Sequence, residues 1–253
     1  MLRLENVQKT FGGVTATDHV SIDFHEGSLS AVIGPNGAGK TTLFNLITGH
    51  LVPNAGSIFL AGEDIAGRSP REIVSKGIGR AFQVASIFPT FTVEEALMAA
   101  IASHTQLSES LLTAFPSPSV RARGEALIEV LGMEKVARMR CASISHGDQK
   151  LLDIGLALAL EPRVLLLDEP TAGMGPEERW QMIETVRRLW ERDRMTLVFI
   201  EHDMDIVFEV AQTIHVLCYG AVLAQGTADQ IRGHPEVIEA YLGRAADGEG
   251  EPV

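Results

Sequence analysis

The sequence predicts an α/β fold with a parallel core sheet, and three observations carry that expectation. Gly34, Gly39, Lys40 and Thr41 match G-x-x-x-x-G-K-[ST], directly after an apolar run and directly before a helical pattern. Leu29 to Ile33, Val164 to Leu167 and Thr196 to Ile200 are short, nearly uninterrupted apolar runs, which is how strands look when a parallel sheet buries both their faces. Strand-like and helix-like segments then alternate along the chain, the order that builds such sheets.

Taken in order, Leu2, Leu4 and Val7, then Val20, Ile22 and Phe24, predict two short strands of a small antiparallel sheet at the N-terminus. Lys9 to Gly13 is expected to turn between them and to present Phe11. Leu29 to Ile33 is a buried strand, and Leu43, Phe44, Leu46 and Ile47 follow Thr41 at helical spacing. Pro53 to Gly56 is a turn, Ser57 to Leu60 a strand, and Ala61 to Asp64 a second turn. Pro70 opens a short helix that Gly77 stops, and Ile78 to Phe82 is a strand ending at Gln83. Thr92 and Glu95 have capping-box spacing ahead of a helix. Ser103 to Ser119 is polar and proline-containing, a loop by composition, before helix resumes from Arg121 to Leu131. A helix after Ile144 to Gln149 runs to Leu160, so residues from about 92 to about 160 form a helical insertion. Val164 to Glu169 and Thr196 to Ile200 are strands separated by an amphipathic helix from Glu177 to Trp190. Val216-Leu217 and Val222-Leu223 flank Tyr219-Gly220 as a hairpin, and Pro235 to Leu242 is a last helix. The expected organisation is one domain over 1–243, followed by an acidic, disordered tail over 244–253.

Composition narrows the partners. A formal charge of −12 disfavours nucleic acid, whose phosphates such a chain repels, and a purely electrostatic hold on anionic lipid. Cys141 and Cys218 lack metal-ligand spacing, and no secretory segment opens the chain, so a reduced cytoplasmic setting is expected. The most apolar stretch, Leu151 to Leu160, contains Asp153 and falls far short of the ~20 residues of a membrane span.

The glycine loop supplies the chemistry. Gly34, Asn36, Gly37, Ala38, Gly39, Lys40, Thr41 and Thr42 are the candidate phosphate-binding residues, because glycines turn backbone N–H groups toward an anion and a helix N-terminus adds a positive dipole end. Lys40 is then placed for the β- and γ-phosphates of ATP, and Thr41 for Mg²⁺. Asp168 ends an apolar strand, where a rigidly held oxygen ligand for Mg²⁺ belongs. Glu169, one residue further, is positioned to polarise the attacking water. Gln83 and His202 also follow strands, as a metal or water contact and a γ-phosphate contact. Phe11 is either an adenine-stacking aromatic or a loop residue at the edge of the core. Singly, a glutamine after a strand is a solvated edge residue and a lone histidine is structural; four such groups at strand C-termini in one chain point to a site.

These motifs resemble, in order and approximate spacing, the ATPase domains of ABC transporters. The resemblance spans about residues 1–243 and rests on Gly34 to Thr41, Gln83, Ser145 to Gln149, Val164 to Pro170 and His202. It implies a P-loop ATPase domain with a parallel core sheet, an N-terminal antiparallel β subdomain and a helical subdomain. It implies that Phe11 stacks on adenine, Gln83 is the Q-loop glutamine, Ser145 and Gly147 belong to the signature segment, Glu169 is the catalytic base and His202 the switch histidine. It further implies that Ser145 meets the γ-phosphate held by a second cassette, so that two ATP molecules join a head-to-tail dimer.

The pattern departs from the family at three places: His146 stands for glycine, Asp148 for glutamine, and Gly175 for the usual D-loop aspartate. Gly77 to Gln83, Gly147 to Gln149, Ala172 to Met174 and Val237 to Gly243 are similar to the ATP-binding components of branched-chain amino-acid importers, a subgroup that also serves urea and short amides and has relatives in lipopolysaccharide export. The resulting expectation is an energy-coupling ATPase at the cytoplasmic face of the membrane. Its expected partners are permease subunits, a second ATPase and, indirectly, a periplasmic solute-binding protein. Val84 to Pro89 is the candidate permease-docking surface. A soluble ABC ATPase acting on DNA or the ribosome is disfavoured by charge and by the lack of a long coiled-coil insertion or a second cassette. A binding module without catalysis is disfavoured by Lys40, Asp168, Glu169 and His202.

Overall fold

In the computed structural model, which describes residues 1–81, 88–105 and 116–240, the apolar runs are strands and the periodic segments between them helices. The strands are β1 (Leu2–Phe11), β2 (Val14–Phe24), β3 (Leu29–Ile33), β4 (Ala55–Leu60), β5 (Glu63–Asp64), β6 (Ile78–Ala81), β7 (Val164–Asp168), β8 (Thr196–Ile200), β9 (Thr213–Cys218) and β10 (Ala221–Gly226). The helices are α1 (Lys40–Ile47), α2 (Pro70–Ser75), α3 (Val93–His104), α4 (Pro118–Leu131), α5 (His146–Leu158), α6 (Pro176–Asp193), α7 (Met204–Val210) and α8 (Ala228–Arg232), and residues 235–240, the described part of the expected last helix, are helical too. Two compact units result, Met1–Lys76 with Arg194–Val253, and Gly77–Asp193.

In the first unit, β1 pairs antiparallel with β2 and β4, and β4 with β5, giving the order β2-β1-β4-β5. Leu2, Leu4 and Val7 lie opposite Phe24, Ile22 and Val20, and all six are buried. Both strands are longer than their apolar pattern suggests. Lys9↔Thr17, Thr10↔Thr15 and Phe11↔Val14 continue the ladder, because β-branched residues suit a pleated surface whether exposed, as Thr15 and Val14 are, or buried, as Thr17 is. The turn is therefore Gly12-Gly13 alone, and Phe11 closes a strand. Glu63 and Asp64 likewise pair with Leu60 and Phe59 where a turn was expected. In the other sheet of this unit, β3 runs parallel to β8 on one side and β9 on the other, with β10 antiparallel to β9. Every residue of β3 and β8 is buried, as strands covered on both faces must be.

In the second unit, β6 and β7 pair in parallel from Ile78↔Val164 to Ala81↔Leu167. Thr92 caps α3 through the expected reciprocal box, its hydroxyl accepting the Glu95 amide and the Glu95 carboxylate accepting the Thr92 amide. The polar segment Ser103 to Ser119 is helical at both ends, since α3 extends to His104 and Ser117 caps α4 ahead of Pro118; its middle lies outside the described residues. Helices α3, α4 and α5 pack closely enough that a Cβ on Gly155 of α5 would lie 2.6 Å from Leu131 Cδ1 and 3.0 Å from Leu97 Cδ2. No described helix is long and apolar enough to cross a membrane.

Candidate active site

In the first unit the glycine loop leaves β3 and enters α1, as its flanks require. Gly34 and Gly39 have φ of +148° and +99°, and a Cβ at either would run into a backbone carbonyl, that of Leu217 or of Ala16. Only glycine fits both demands. Gly39 has no side chain to cap α1, so the first N–H groups of that helix keep their donor capacity for an anion. Lys40 is buried, and its Nζ donates to the Gly34 and Pro35 carbonyls at 2.6 and 3.0 Å. An ammonium held inside its own loop is the charge a phosphate would meet. Asn36, Gly37 and Thr41 are exposed, Thr42 is half-buried and Ala38 is packed inside.

Two further candidates share this unit. Val32 of β3 lies beside Ile200 of β8, so His202, just past β8, stands at the same strand end as the loop. His202 is exposed, and its amide donates to the carboxylate of buried Glu201 at 2.9 Å. Asp203 caps α7 by accepting the Asp205 and Ile206 amides. Phe11 is half-exposed with the Lys9 ammonium 5.4 Å from its ring centroid. The β2 strand that pairs with it also carries Ala16, whose carbonyl abuts Gly39.

The second unit holds the remaining described candidates. Leu166 and Asp168 share one face of β7, and Arg80 of β6 lies opposite Leu166, so its long side chain reaches diagonally along that face. Arg80 Nη2 donates to Asp168 Oδ2 at 2.7 Å, with the two side chains 6% and 9% exposed. Glu169 is beyond the end of β7, at φ +49°. Its carbonyl accepts the Lys150 Nζ at 2.8 Å and the Ala172 amide at 3.1 Å. Ser145 is the N-cap of α5; its hydroxyl accepts the Asp148 amide at 3.1 Å and donates to Asp148 Oδ2 at 2.7 Å. Gly147 sits in the first turn of α5 and is half-buried. Where the family pattern has an aspartate, Gly175 donates its amide to the Glu178 carboxylate at 3.1 Å.

The structure thus groups the glycine loop, His202 and Phe11 in one unit, and Asp168, Glu169, Ser145 and Gly147 in the other. Gln83 lies outside the described residues, as do Val84 to Ile87 of the expected docking segment, whose Phe88 stacks on Phe91 with centroids 5.1 Å apart. Arg80, Lys150 and the Asp148 contact were not anticipated. Arg80 falls within the Gly77 to Gln83 stretch, but nothing in that stretch names Asp168, 88 residues further along, as its partner. Lys150 and Asp153 sit three apart on the buried side of α5, whose other buried residues are apolar or glycine, which is a signal of buried charge.

Comparison with known proteins agrees with this geometry. Residues 17–172 match the family model described as ABC transporter, and residues 221–247 that described as branched-chain amino acid ATP-binding cassette transporter. The chain is 36% identical to the high-affinity branched-chain amino acid transport ATP-binding protein LivG of Escherichia coli K12, over 97% of this chain and 98% of that protein. The corresponding protein BraF of Pseudomonas aeruginosa gives the same identity and coverage. Among solved structures, the ADP conformation of an ATP-binding cassette of an ABC transporter superposes with a TM-score of 0.84 at 31% identity, covering 96% of this chain and 98% of that one. By fold, motif and relatedness over nearly its whole length, the chain belongs to the ABC transporter family and is one of its ATP-binding cassette ATPases.

Proposed function

We propose that this ATPase is the energy-coupling subunit of an importer of branched-chain amino acids. The observation that carries this reading is the likeness to LivG and BraF over almost the full chain, together with the separate C-terminal match over 221–247. ATP is the substrate. Gly34, Asn36, Gly37, Ala38, Gly39, Lys40, Thr41 and Thr42 bind its phosphates through backbone N–H groups and the Lys40 ammonium. Phe11 takes the adenine face. Glu169 draws a proton from the attacking water, His202 holds the γ-phosphate, and Gln83 orients the water. Ser145 and Gly147 present the α5 N-terminus to the phosphate of a second cassette, homologous or identical.

The donor set suits a hard divalent cation. The Thr41 hydroxyl and Asp168 carboxylate are oxygen ligands of the kind Mg²⁺ prefers, and Asp168 is held at the end of β7 by the Arg80 guanidinium on its Oδ2. Thr41, Asp168 and Gln83 would hold Mg²⁺, which supplies charge neutralisation on the phosphates when bound. Closure and reopening of the cassette pair, driven by ATP binding and hydrolysis, are passed to membrane-spanning permeases. The subunit works as a peripheral protein at the cytoplasmic face, within the domain organisation of 1–243, a helical subdomain at about 92–160, and a tail over 244–253. The transported solute is delivered by a periplasmic binding protein, and no nucleic acid is involved.

The test is recovery of the tagged chain from its native membrane in mild detergent, with its companions identified by mass spectrometry. Two permeases, a second ATPase and an amino-acid-binding protein support the importer. A ribosomal or other soluble partner set without a permease contradicts it, and a urea- or amide-binding protein, or an export apparatus, reassigns the cargo.

A further inference from the structure

The carbonyl oxygen of Glu169 is a junction between two segments. It accepts the Lys150 ammonium from α5 at 2.8 Å and the Ala172 amide from the following turn at 3.1 Å, which commits both lone pairs of the oxygen. Glu169 carries a Cβ at φ +49°, a conformation that persists only where the surroundings hold it. Lys150 is buried, so its charge is out of bulk water and depends on the partners it has. Asp153, one turn further along α5, is buried as well and supplies a carboxylate on the same side of the helix.

The other end of this arrangement is Ser145. It caps the helix that carries Lys150, and five residues of helix amount to a rise of about 7 Å along one rigid rod. A phosphate drawn to Ser145 therefore acts on the element that grips Glu169.

We propose that Lys150 is a positioning residue that ties the signature helix to the backbone of the catalytic base, so that phosphate engagement at Ser145 sets Glu169 of the same chain. The inference deepens the proposed function and rests on it. In a head-to-tail pair, Ser145 and Glu169 of one chain serve different nucleotides, so the tether makes each site report its occupancy to the other. Hydrolysis should then be positively cooperative in ATP, and the cooperativity should pass through Lys150.

The test compares wild type, Lys150→Met and Lys150→Arg in the full chain. The wild type is expected to show a Hill coefficient above one. Lys150→Met should lower kcat about 100-fold, the scale of a misplaced catalytic group, and bring the Hill coefficient to one. Its dissociation constant for a fluorescent ATP analogue should stay within about twofold, because no phosphate contact is lost. Lys150→Arg, which keeps a donor of similar reach, should restore most of the rate and the cooperativity. In a Glu169→Gln background, adding Lys150→Met should leave ATP-driven dimerisation intact. If Lys150→Met does not fold, Lys150→Met/Asp153→Asn removes both buried charges together and is read by the same criteria. The inference is overturned if the substituted protein keeps its rate and Hill coefficient, if nucleotide affinity falls in step with rate, or if the wild type hydrolyses ATP without cooperativity. A wild type that does not hydrolyse ATP at all overturns the proposed function, and this inference with it.

Discussion

Replacing Arg80 with methionine should destabilise the protein far more than a surface substitution does. The Arg80 and Asp168 side chains are 6% and 9% exposed and meet at 2.7 Å. Removing the guanidinium strands a carboxylate where water barely reaches, a change that costs about 3–5 kcal/mol in comparable buried pairs. Asp168→Leu strands the guanidinium and should cost a similar amount. Arg80→Met/Asp168→Leu removes both charges and fills the space with apolar atoms, and such replacements are often close to neutral. The double variant should therefore be more stable than either single one, a strongly non-additive cycle. Urea denaturation of the four proteins at neutral pH, without nucleotide, reads this directly. Additive costs, or a cost for Arg80→Met below about 1 kcal/mol, the range of an exposed pair, would refute the assignment of Arg80 as the counter-charge of Asp168.

Other outcomes follow from the same geometry. The Ser145 hydroxyl donates to the Asp148 carboxylate at 2.7 Å, so Asp148 competes with any phosphate for that proton; Asp148→Asn should tighten ATP-driven dimerisation about 5-fold, roughly 1 kcal/mol, as read by sedimentation of a Glu169→Gln background. Burial lowers the His215 imidazole to about 4 and raises the Asp153 carboxyl to about 6, the latter opposed by Lys150. The signs are opposite. Neutral His215 contributes stability that is full above pH 6.5 and lost as pH falls toward 4, whereas the Asp153 contribution is full below about pH 4 and lost as pH rises through 6. Each is worth about 3 kcal/mol at its limit, so His215→Gln should flatten the acid side of the urea stability profile, and Asp153→Asn should abolish the fall in stability between about pH 4 and 6. Ile87→Asp with Phe88→Asp should abolish co-purification with permeases while ATPase activity persists; unchanged co-purification would remove the docking role of that segment.

The readability of the fold varied with the range of the forces involved. The strand-loop-helix unit around Gly34 to Thr41 was legible because sequence spacing, glycine backbone demands and helix entry are all local. So was the Thr92–Glu95 cap, whose partners are three residues apart. The extension of β1 and β2 through Lys9 to Phe11 was not, because it depends on cross-strand neighbours at Val14 to Thr17. Helices α7 and α8 were missed as well; they are short, held by the Asp203 cap and the Thr227–Gln230 box, and too brief for a periodic pattern. In the site, residues that act at strand ends were readable from position. Arg80 and Lys150 were not, since a long cation is classed as surface until a distant carboxylate or carbonyl is known to receive it. Glu178 filling the amide contact at Gly175 is another replacement that only the folded turn reveals.

Whether this ATPase drives branched-chain amino-acid import is read most simply from uptake of labelled leucine by cells whose own copy of this gene is deleted and replaced by wild type or by Glu169→Gln. Wild type should restore uptake, Glu169→Gln should bind ATP but restore none, and urea and short-amide uptake should be unaffected by the deletion. Leucine uptake that survives the deletion, or that Glu169→Gln supports as well as wild type, would contradict that role.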